Sequence, residues 1–215
     1  MLKSRFSLSC LVVLLMVLPI VMTGRVSSAP RTQSTVRSDA VPMRGISTLY
    51  ALDPIARTLC FGDGTPGLDI ADHEVVNRAS DIDFGGYVPG SFSVGIEGDR
   101  VGTVLDLGLP ADLEKKYGYA ETVGGGQGFA SIHRQNNELK ILKDTEPTRR
   151  YQTMKESEAL FQPGTTGADA SVKLGHVYLI RLTDRNDKAF ERLIKLLVIS
   201  LKPDESVTIR WEVLK

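Results

Sequence analysis

Near its C-terminus the chain reads Val207-Thr208-Ile209-Arg210-Trp211-Glu212-Val213. Apolar and polar residues alternate without a break over this stretch. Successive side chains of a strand point to opposite faces of a sheet, so the alternation predicts a half-buried β-strand. We expect four apolar side chains to face the core, those of Val207, Ile209, Trp211 and Val213.

The forty residues that precede this strand fit a meander. Residues 177–183 predict a strand with Tyr178, Ile180 and Leu182 on one face. The sequence Lys202-Pro203-Asp204-Glu205 is a candidate type I turn, with proline at its second position. The whole segment resembles the terminal meander of many exported β-sandwich domains, and this resemblance implies a fold rather than an activity.

Residues 189–200 fit two structures. The spacing of Phe190, Leu193 and Leu197 is typical of a helix face, which Asp187 could cap. The apolar run at 197–199 and the short connections on either side favour a strand instead. We predict a strand and keep the helix as the alternative.

Two hairpins are predicted upstream. Residues 91–96 alternate apolar and small side chains, and the turn Gly98-Asp99 would lead into a return strand at 101–107. A second hairpin would join residues 129–134 to 139–143 around Asn136-Asn137, because asparagine tolerates the left-handed backbone of a tight turn.

One short helix is predicted between these hairpins. Pro110 would begin it and Gly118 would end it, with Asp112 in the first turn. Leu113 and Tyr117 share a face at four-residue spacing. A second helical turn is predicted at 154–161, with Met154, Leu160 and Phe161 inward. We therefore expect a mainly β domain: a single antiparallel sandwich or partly closed barrel, with one or two short helices.

The N-terminus predicts export. Lys3 and Arg5 precede a 13-residue apolar run, Cys10–Met22, which small residues follow. A membrane-spanning helix needs about 20 apolar residues, so the run indicates a signal peptide at 1–29, with an uncleaved anchor as the alternative. Residues 30–45 predict a flexible linker and 46–215 the β-rich domain. The expected location is extracytoplasmic, either periplasmic or secreted.

Charge is balanced overall but not along the chain. The sequence has 26 basic and 26 acidic residues, yet residues 51–106 hold ten carboxylates and three arginines. Basic clusters with interleaved aromatic residues are missing from the sequence, which argues against a nucleic-acid partner. Contact with a membrane is expected only through an uncleaved N-terminal segment.

Five aspartates of the acidic region are candidate metal ligands, because Ca²⁺ prefers carboxylate and carbonyl oxygens. They are Asp63, Asp69, Asp72, Asp81 and Asp83. Their spacing matches no EF-hand loop, so no cofactor is expected and Ca²⁺ is kept as a candidate only. Asp81 and Asp83 would share a face of a strand, where a carboxylate pair could also serve a hydrolase.

A glycine-rich run, Gly124-Gly125-Gly126-Gln127-Gly128, leads into an apparent strand rather than a helix. That order does not fit a phosphate-binding loop. Tyr117 and Tyr119 border the run, and together with Tyr87 they are expected to be exposed. A ligand groove is therefore predicted between these rings and residues 124–127.

The sequence contains no catalytic signature. His73, His133 and His176 lie too far apart for a zinc motif. Removal of the signal peptide would leave Cys60 as a lone, buried thiol. We predict a non-catalytic binding or interaction module of the cell envelope or exterior, with an envelope protein or glycan as partner. An extracytoplasmic hydrolase that uses carboxylates of 51–106 and a structural envelope protein are the alternatives.

Overall fold

A computed structural model describes residues 43–67, 80–96, 98–118, 129, 131–142, 151–162 and 167–215. These residues belong to one compact unit, Asp39–Lys215. The predicted signal peptide and nearly all of the predicted linker lie outside them. The first described strand begins at Arg44, two residues before the predicted domain start.

The described residues form strands and two helices, which are named here in chain order. They are β1 (Arg44–Tyr50), β2 (Thr58–Leu59), β3 (Ile82–Phe84), β4 (Ser91–Val94), β5 (Arg100–Gly108), α1 (Pro110–Tyr117), β6 (Ile132–Gln135), β7 (Glu138–Leu142), β8 (Tyr151–Thr153), α2 (Glu156–Phe161), β9 (Asp169–Ser171), β10 (Val177–Asp184), β11 (Glu191–Lys202) and β12 (Ser206–Leu214). The protein is thus mainly β, as predicted. In the part of the chain described, neither helix is long and apolar enough to cross a bilayer.

The strands form three antiparallel sheets. The largest has the order β1-β12-β11-β10-β5, the second β2-β3-β4-β9 and the third β6-β7-β8. None of the three closes on itself within the described residues. The C-terminal meander supplies the centre of the five-stranded sheet, so the predicted strands at 177–183 and 207–213 are confirmed.

The segment 189–200 is a strand and not a helix. Ile194, Leu196 and Val198 of β11 lie in one apolar cluster, while Leu193 lies in another on the opposite face of the sheet. A central strand covered on both faces needs apolar side chains at consecutive positions. This requirement explains why apolar and polar residues do not alternate in β11, and why the spacing of its apolar residues also fits a helix face.

The first core lies between the five-stranded and the four-stranded sheet. The apolar face of β12 enters it as predicted, with the Trp211 ring 5.4 Å from that of Phe61 in an edge-to-face contact. Phe92 of β4 meets Tyr178 of β10 in the same geometry at 5.5 Å. Aromatic pairs of this kind join the two sheets.

The second core covers the other face of the five-stranded sheet. Leu113 of α1, Leu160 of α2 and Ile141 of β7 pack there against Leu179 and Leu193. Both predicted helices are confirmed, and Gly118 closes α1 with a left-handed backbone, φ 62°. Met154 is buried beside α2, as predicted.

The predicted hairpin over 91–107 is wrong. β4 pairs with β3 and β9, whereas β5 pairs with β10 in the larger sheet. The chain crosses between sheets at Gly95 and Gly102, where a Cβ on Gly95 would lie 2.0 Å from the Gly102 amide nitrogen. Two glycines allow this close approach, and it diverts the return strand to the larger sheet.

The second predicted hairpin is confirmed. β6 pairs with β7 around Asn136, whose φ of 56° is left-handed. The turn before β12 differs from the prediction, because Asp204 also has a φ of 56°. A positive φ at the third position is a feature of a type II rather than a type I turn.

Candidate functional site

Asp81 and Asp83 are both buried, at 1% and 0% exposure. The Phe61 amide donates to Asp81 Oδ2 at 2.7 Å, Arg100 Nη1 to Oδ1 at 3.3 Å, and Arg192 forms a further ion pair with Oδ2. The Gly86 amide donates to Asp83 Oδ1 at 2.7 Å, and Arg57 Nε lies 2.9 Å from Oδ2. Each carboxylate is therefore occupied by cationic and amide donors.

Burial raises the pKa of both aspartates, and their partners oppose that effect. The Arg192 and Arg100 guanidiniums and the Phe61 amide favour the ionised form of Asp81. For Asp83 the Gly86 amide and Arg57 do the same. Such a pair of carboxylates, each fixed by arginine, is suited to joining elements of the fold rather than to receiving a substrate.

The predicted calcium ligands are not brought together in the described residues. Asp63 is exposed and accepts hydrogen bonds from the Thr65 amide at 3.0 Å and from its hydroxyl at 2.7 Å. Asp69 and Asp72 lie outside the described residues. Within the described ranges, no group of three or more His, Cys, Asp or Glu side chains could hold a metal ion. The calcium site stays a prediction.

Tyr117 is buried, at 3% exposure, so its predicted exposure is wrong. Its hydroxyl donates to Glu156 and accepts from the Lys155 amide at 3.1 Å. The reason is the face that it shares with Leu113, which packs into the second core. Tyr87 is 43% exposed, as predicted.

Tyr119, Gly124, Gly125, Gly126 and Gln127 lie outside the described residues, so the predicted groove stays a prediction. The glycine-rich run leads to Phe129, which is buried. The Lys195 ammonium and the Arg210 guanidinium each lie 4.8 Å from the centre of the Phe129 ring. These cation–π contacts anchor the chain just after the run.

Two of the histidines are described, and each has a structural neighbour. His176 Nδ1 lies 2.8 Å from Asp106 Oδ1, and Lys173 Nζ lies 3.0 Å from Asp106 Oδ2. The His133 ring meets Tyr151 edge to face at 5.7 Å. His73 lies outside the described residues. The described histidines thus do not converge with each other on a ligand position.

The clearest candidate for a ligand site is a cleft beside the loop that joins β10 to β11. It has a volume of about 460 Å³. We call it the β10–β11 cleft; its lining residues are Asn137, Arg181, Thr183, Asp184, Arg185, Lys188, Ala189, Phe190 and Glu191. A second cleft of about 420 Å³ shares Asn137 and is lined by α2 and residues before it. Clefts of this size suit small ligands or segments of a polymer.

Both carboxylates of the β10–β11 cleft are neutralised. Glu191 Oε1 accepts from Arg181 Nε at 2.8 Å, and Glu191 Oε2 is paired with Arg134. Burial raises the pKa of Glu191, but the hydrogen bonds from Arg181 and Arg134 lower it by more. The pKa of Glu191 is therefore below its usual value. Asp184 Oδ1 accepts from the amides of the following loop, and Asp184 Oδ2 lies 3.4 Å from Arg100 Nε.

Two cations of the same cleft have no such compensation. Arg185 and Lys188 are exposed, and neither forms an ion pair with any residue that the structure describes. The loop that carries them is held firmly, because Arg100 stacks 3.6 Å above the ring of Phe190. Because Asp184 is paired with Arg100 and Asp187 offsets one of the two cations, this fixed loop adds an excess of one positive charge to the cleft wall.

Sequence reasoning missed this cleft. The mixed charges of residues 183–188 are typical of a solvated loop, so the sequence alone does not indicate a binding site there. The neutralisation of Asp184 and Glu191 depends on Arg100 and Arg134, which are distant in the sequence. Only the folded arrangement separates the free cations from the paired ones.

Comparisons of the chain with protein-family models, with curated proteins and with solved structures found no match. Function is therefore inferred from the chemistry of the cleft.

Proposed function

We propose that the chain is an exported, non-catalytic binding module of the cell envelope or exterior, built as a β-sandwich with helices on one side. In this proposal the β10–β11 cleft binds an acidic segment of an envelope glycan. The observation that carries the proposal is the pair of cations, Arg185 and Lys188, that form no ion pair with the described residues, on a cleft whose carboxylates are both neutralised.

The lining of the cleft favours a glycan. Asn137 and Thr183 offer an amide and a hydroxyl, which suit the hydroxyl groups of a sugar. Arg185 and Lys188 suit the carboxylates that acidic sugars carry. The adjoining cleft along α2 would let a chain of several sugars continue past Asn137.

The hydrolase alternative gains no support from the described residues. A carboxylate pair for hydrolysis needs one group that is poised to donate a proton and access for a substrate. Asp81 and Asp83 are instead buried and bound by arginines. The alternative of a structural envelope protein requires no ligand, so a binding experiment distinguishes it from our proposal.

The test is isothermal titration of the full chain with a hexamer of galacturonate, and with a neutral glucose hexamer as control. We expect binding of the acidic oligomer only, and weaker binding at higher salt because exposed charges are screened. Replacing both cations, Arg185→Glu with Lys188→Glu, should weaken binding at least about tenfold, or about 1.4 kcal/mol.

The matched control is Lys202→Glu with Lys115→Glu, which reverses the same number of charges away from the cleft, at the far end of β11 and on α1. It should leave binding within about twofold of wild type. Equal losses in the two variants would mean that total charge, and not the cleft, attracts the oligomer. Binding of a glutamate hexapeptide with equal affinity would point to a protein partner instead.

A further inference from the structure

One edge of the five-stranded sheet is open in the part of the chain that the structure describes. β1 pairs with β12 on one side, and no described strand lies on its other side. The Met43 carbonyl accepts from the Val213 amide at 2.8 Å, whereas the Tyr50 amide points away from β12 and donates to the Ala56 carbonyl at 3.1 Å. Since the backbone groups of a strand alternate in direction, the amides and carbonyls of Arg44, Ile46 and Thr48 point away from β12.

This open edge has limits at both ends. Beyond Thr48, the outward amide of Tyr50 is already bonded to Ala56. Before Arg44, the description of the chain begins at Met43, and the sequence that precedes it has a proline at position 42, which has no amide hydrogen. The usable edge is therefore Arg44–Thr48, and its midpoint is Ile46.

The edge carries little of the usual protection against pairing. Natural edge strands carry charged side chains, proline, a bulge or an inward charge that blocks a neighbour. Between Arg44 and Thr48 the register to β12 is regular, no lysine or proline occurs, and the one charged residue, Arg44, lies at the end of the edge. Ile46, at the midpoint, is an apolar side chain with 68% exposure.

A cleft of about 320 Å³ runs beside the same edge. Its lining residues are Met43, Arg44, Gly45, Ile46, Ser47, Asp63, Gly64 and Trp211. At Gly45 even a Cβ would lie 3.0 Å from the Trp211 ring, so this ring covers Gly45 and forms one wall of the cleft. A groove along an open edge is the usual setting for strand addition.

We propose that two copies of the chain pair through β1, antiparallel about a two-fold axis at Ile46. Ile46 then faces Ile46 of the second copy, and Arg44 faces Thr48 in both directions. Each facing pair exchanges two hydrogen bonds, and the sheet continues through both copies.

The open edge fits its own copy better than an arbitrary strand. An axis at Ile46 uses all three outward residues of both copies, whereas any other axis leaves at least one without a partner. Like charges do not face each other, because Arg44 lies opposite a threonine. Ser47 of the second copy lies opposite Gly45, so two small residues face each other beside the Trp211 ring. A two-fold pair of this kind is closed and does not continue into a fibre.

Disulfide trapping tests the register. In the full chain, Ile46→Cys should give a covalent dimer on mild oxidation, because facing Cα atoms in a hydrogen-bonded pair lie about 5.5 Å apart, within disulfide range. Thr48→Cys is the matched control. Its two copies would lie about 13 Å apart along the strands and should not cross-link above the wild-type chain.

Sedimentation measures the association itself. Ile46→Pro removes one outward amide, which an edge strand tolerates, and should weaken dimerisation at least tenfold while thermal unfolding stays cooperative. Thr48→Ala, which keeps its amide, should dimerise like wild type. A chain that stays monomeric at millimolar concentration, or equal cross-linking of both cysteine variants, would overturn the proposal. So would a monomer whose Ile46 amide resists hydrogen exchange, since another segment of the same chain would then cover the edge.

Discussion

Lys195 and Glu212 face each other directly across β11 and β12, with Lys195 Nζ 3.4 Å from Glu212 Oε2. Lys195 is only 1% exposed, and its Nζ also donates to the Ile132 carbonyl at 3.0 Å. Burial lowers the pKa of Lys195, although Glu212 opposes that effect. The lysine thus ties the three-stranded sheet to the five-stranded one.

The two partners of this pair should differ in importance. Glu212→Gln leaves a buried ammonium without its counter-charge, and we expect a loss of about 3 kcal/mol in the free energy of unfolding. Lys195→Met leaves a glutamate that is partly exposed and costs about 1 kcal/mol for the lost bond to Ile132. Urea unfolding of both variants measures the difference, and the reverse order would contradict it.

The environment of the Tyr178 hydroxyl predicts that the protein loses stability at alkaline pH. It donates to the Ser171 carbonyl at 2.8 Å, and burial, with a smaller effect of Asp106, raises its pKa from 10.0 to about 12. The unfolded chain loses this proton first as the pH rises. The free energy of unfolding should therefore fall between pH 10 and pH 12, by up to about 2 kcal/mol.

Tyr178→Phe removes that contribution and should flatten the fall in this window, at the cost of about 1 kcal/mol at neutral pH. Tyr50→Phe, at an exposed position, should keep the wild-type slope. Urea unfolding at several alkaline pH values measures both. The idea fails if the slope of Tyr178→Phe equals that of wild type.

Asp81 should matter far more to stability than Asp63. Asp81→Asn leaves Arg100 and Arg192 with one counter-charge fewer in a buried cluster, and we expect a loss of about 3 kcal/mol. Asp63→Asn makes the same chemical change at an exposed turn and should cost less than about 0.5 kcal/mol. Thermal unfolding compares the two, and similar losses would show that the ion cluster is not strongly stabilising.

The close approach of the chain where it crosses between the sheets predicts that a side chain at position 102 strongly destabilises the fold. A Cβ at Gly102 would lie 2.4 Å from the carbonyl carbon of Val94, so Gly102→Ala should destabilise the fold by about 3 kcal/mol. Gly90 has a φ of 67° with no atom within 4 Å of its ideal Cβ. Gly90→Ala therefore carries only backbone strain, about 1 kcal/mol. Equal effects in urea unfolding would contradict the close crossing.

The local elements could be predicted from the sequence, because their causes are local. Pro110 and Gly118 bound α1 as expected, and the alternation in 207–213 gave β12 its buried face. The pairing of strands could not be predicted in the same way. The hairpin over 91–107 failed because the crossing at Gly95 and Gly102 depends on how two sheets approach each other.

The candidate sites were harder to predict than the fold. The spacing of Leu113 and Tyr117 already indicated a common buried face, so the burial of Tyr117 was open to sequence reasoning. The partners of Asp81 were not, since Arg100 is 19 and Arg192 is 111 residues away. The free cations of the β10–β11 cleft have the same non-local origin.

The hydrogen bond from the Lys195 ammonium to the Ile132 carbonyl also has a consequence for how the molecule unfolds locally. A charged group released from an apolar layer regains its hydration, which offsets part of the cost of exposing the layer above it. Among the layers of the described residues, the outer sheet β6-β7-β8 is the one whose departure hydrates this ammonium. The easiest fluctuation away from the native state should thus be a lifting of that sheet, with the first core still intact beneath it.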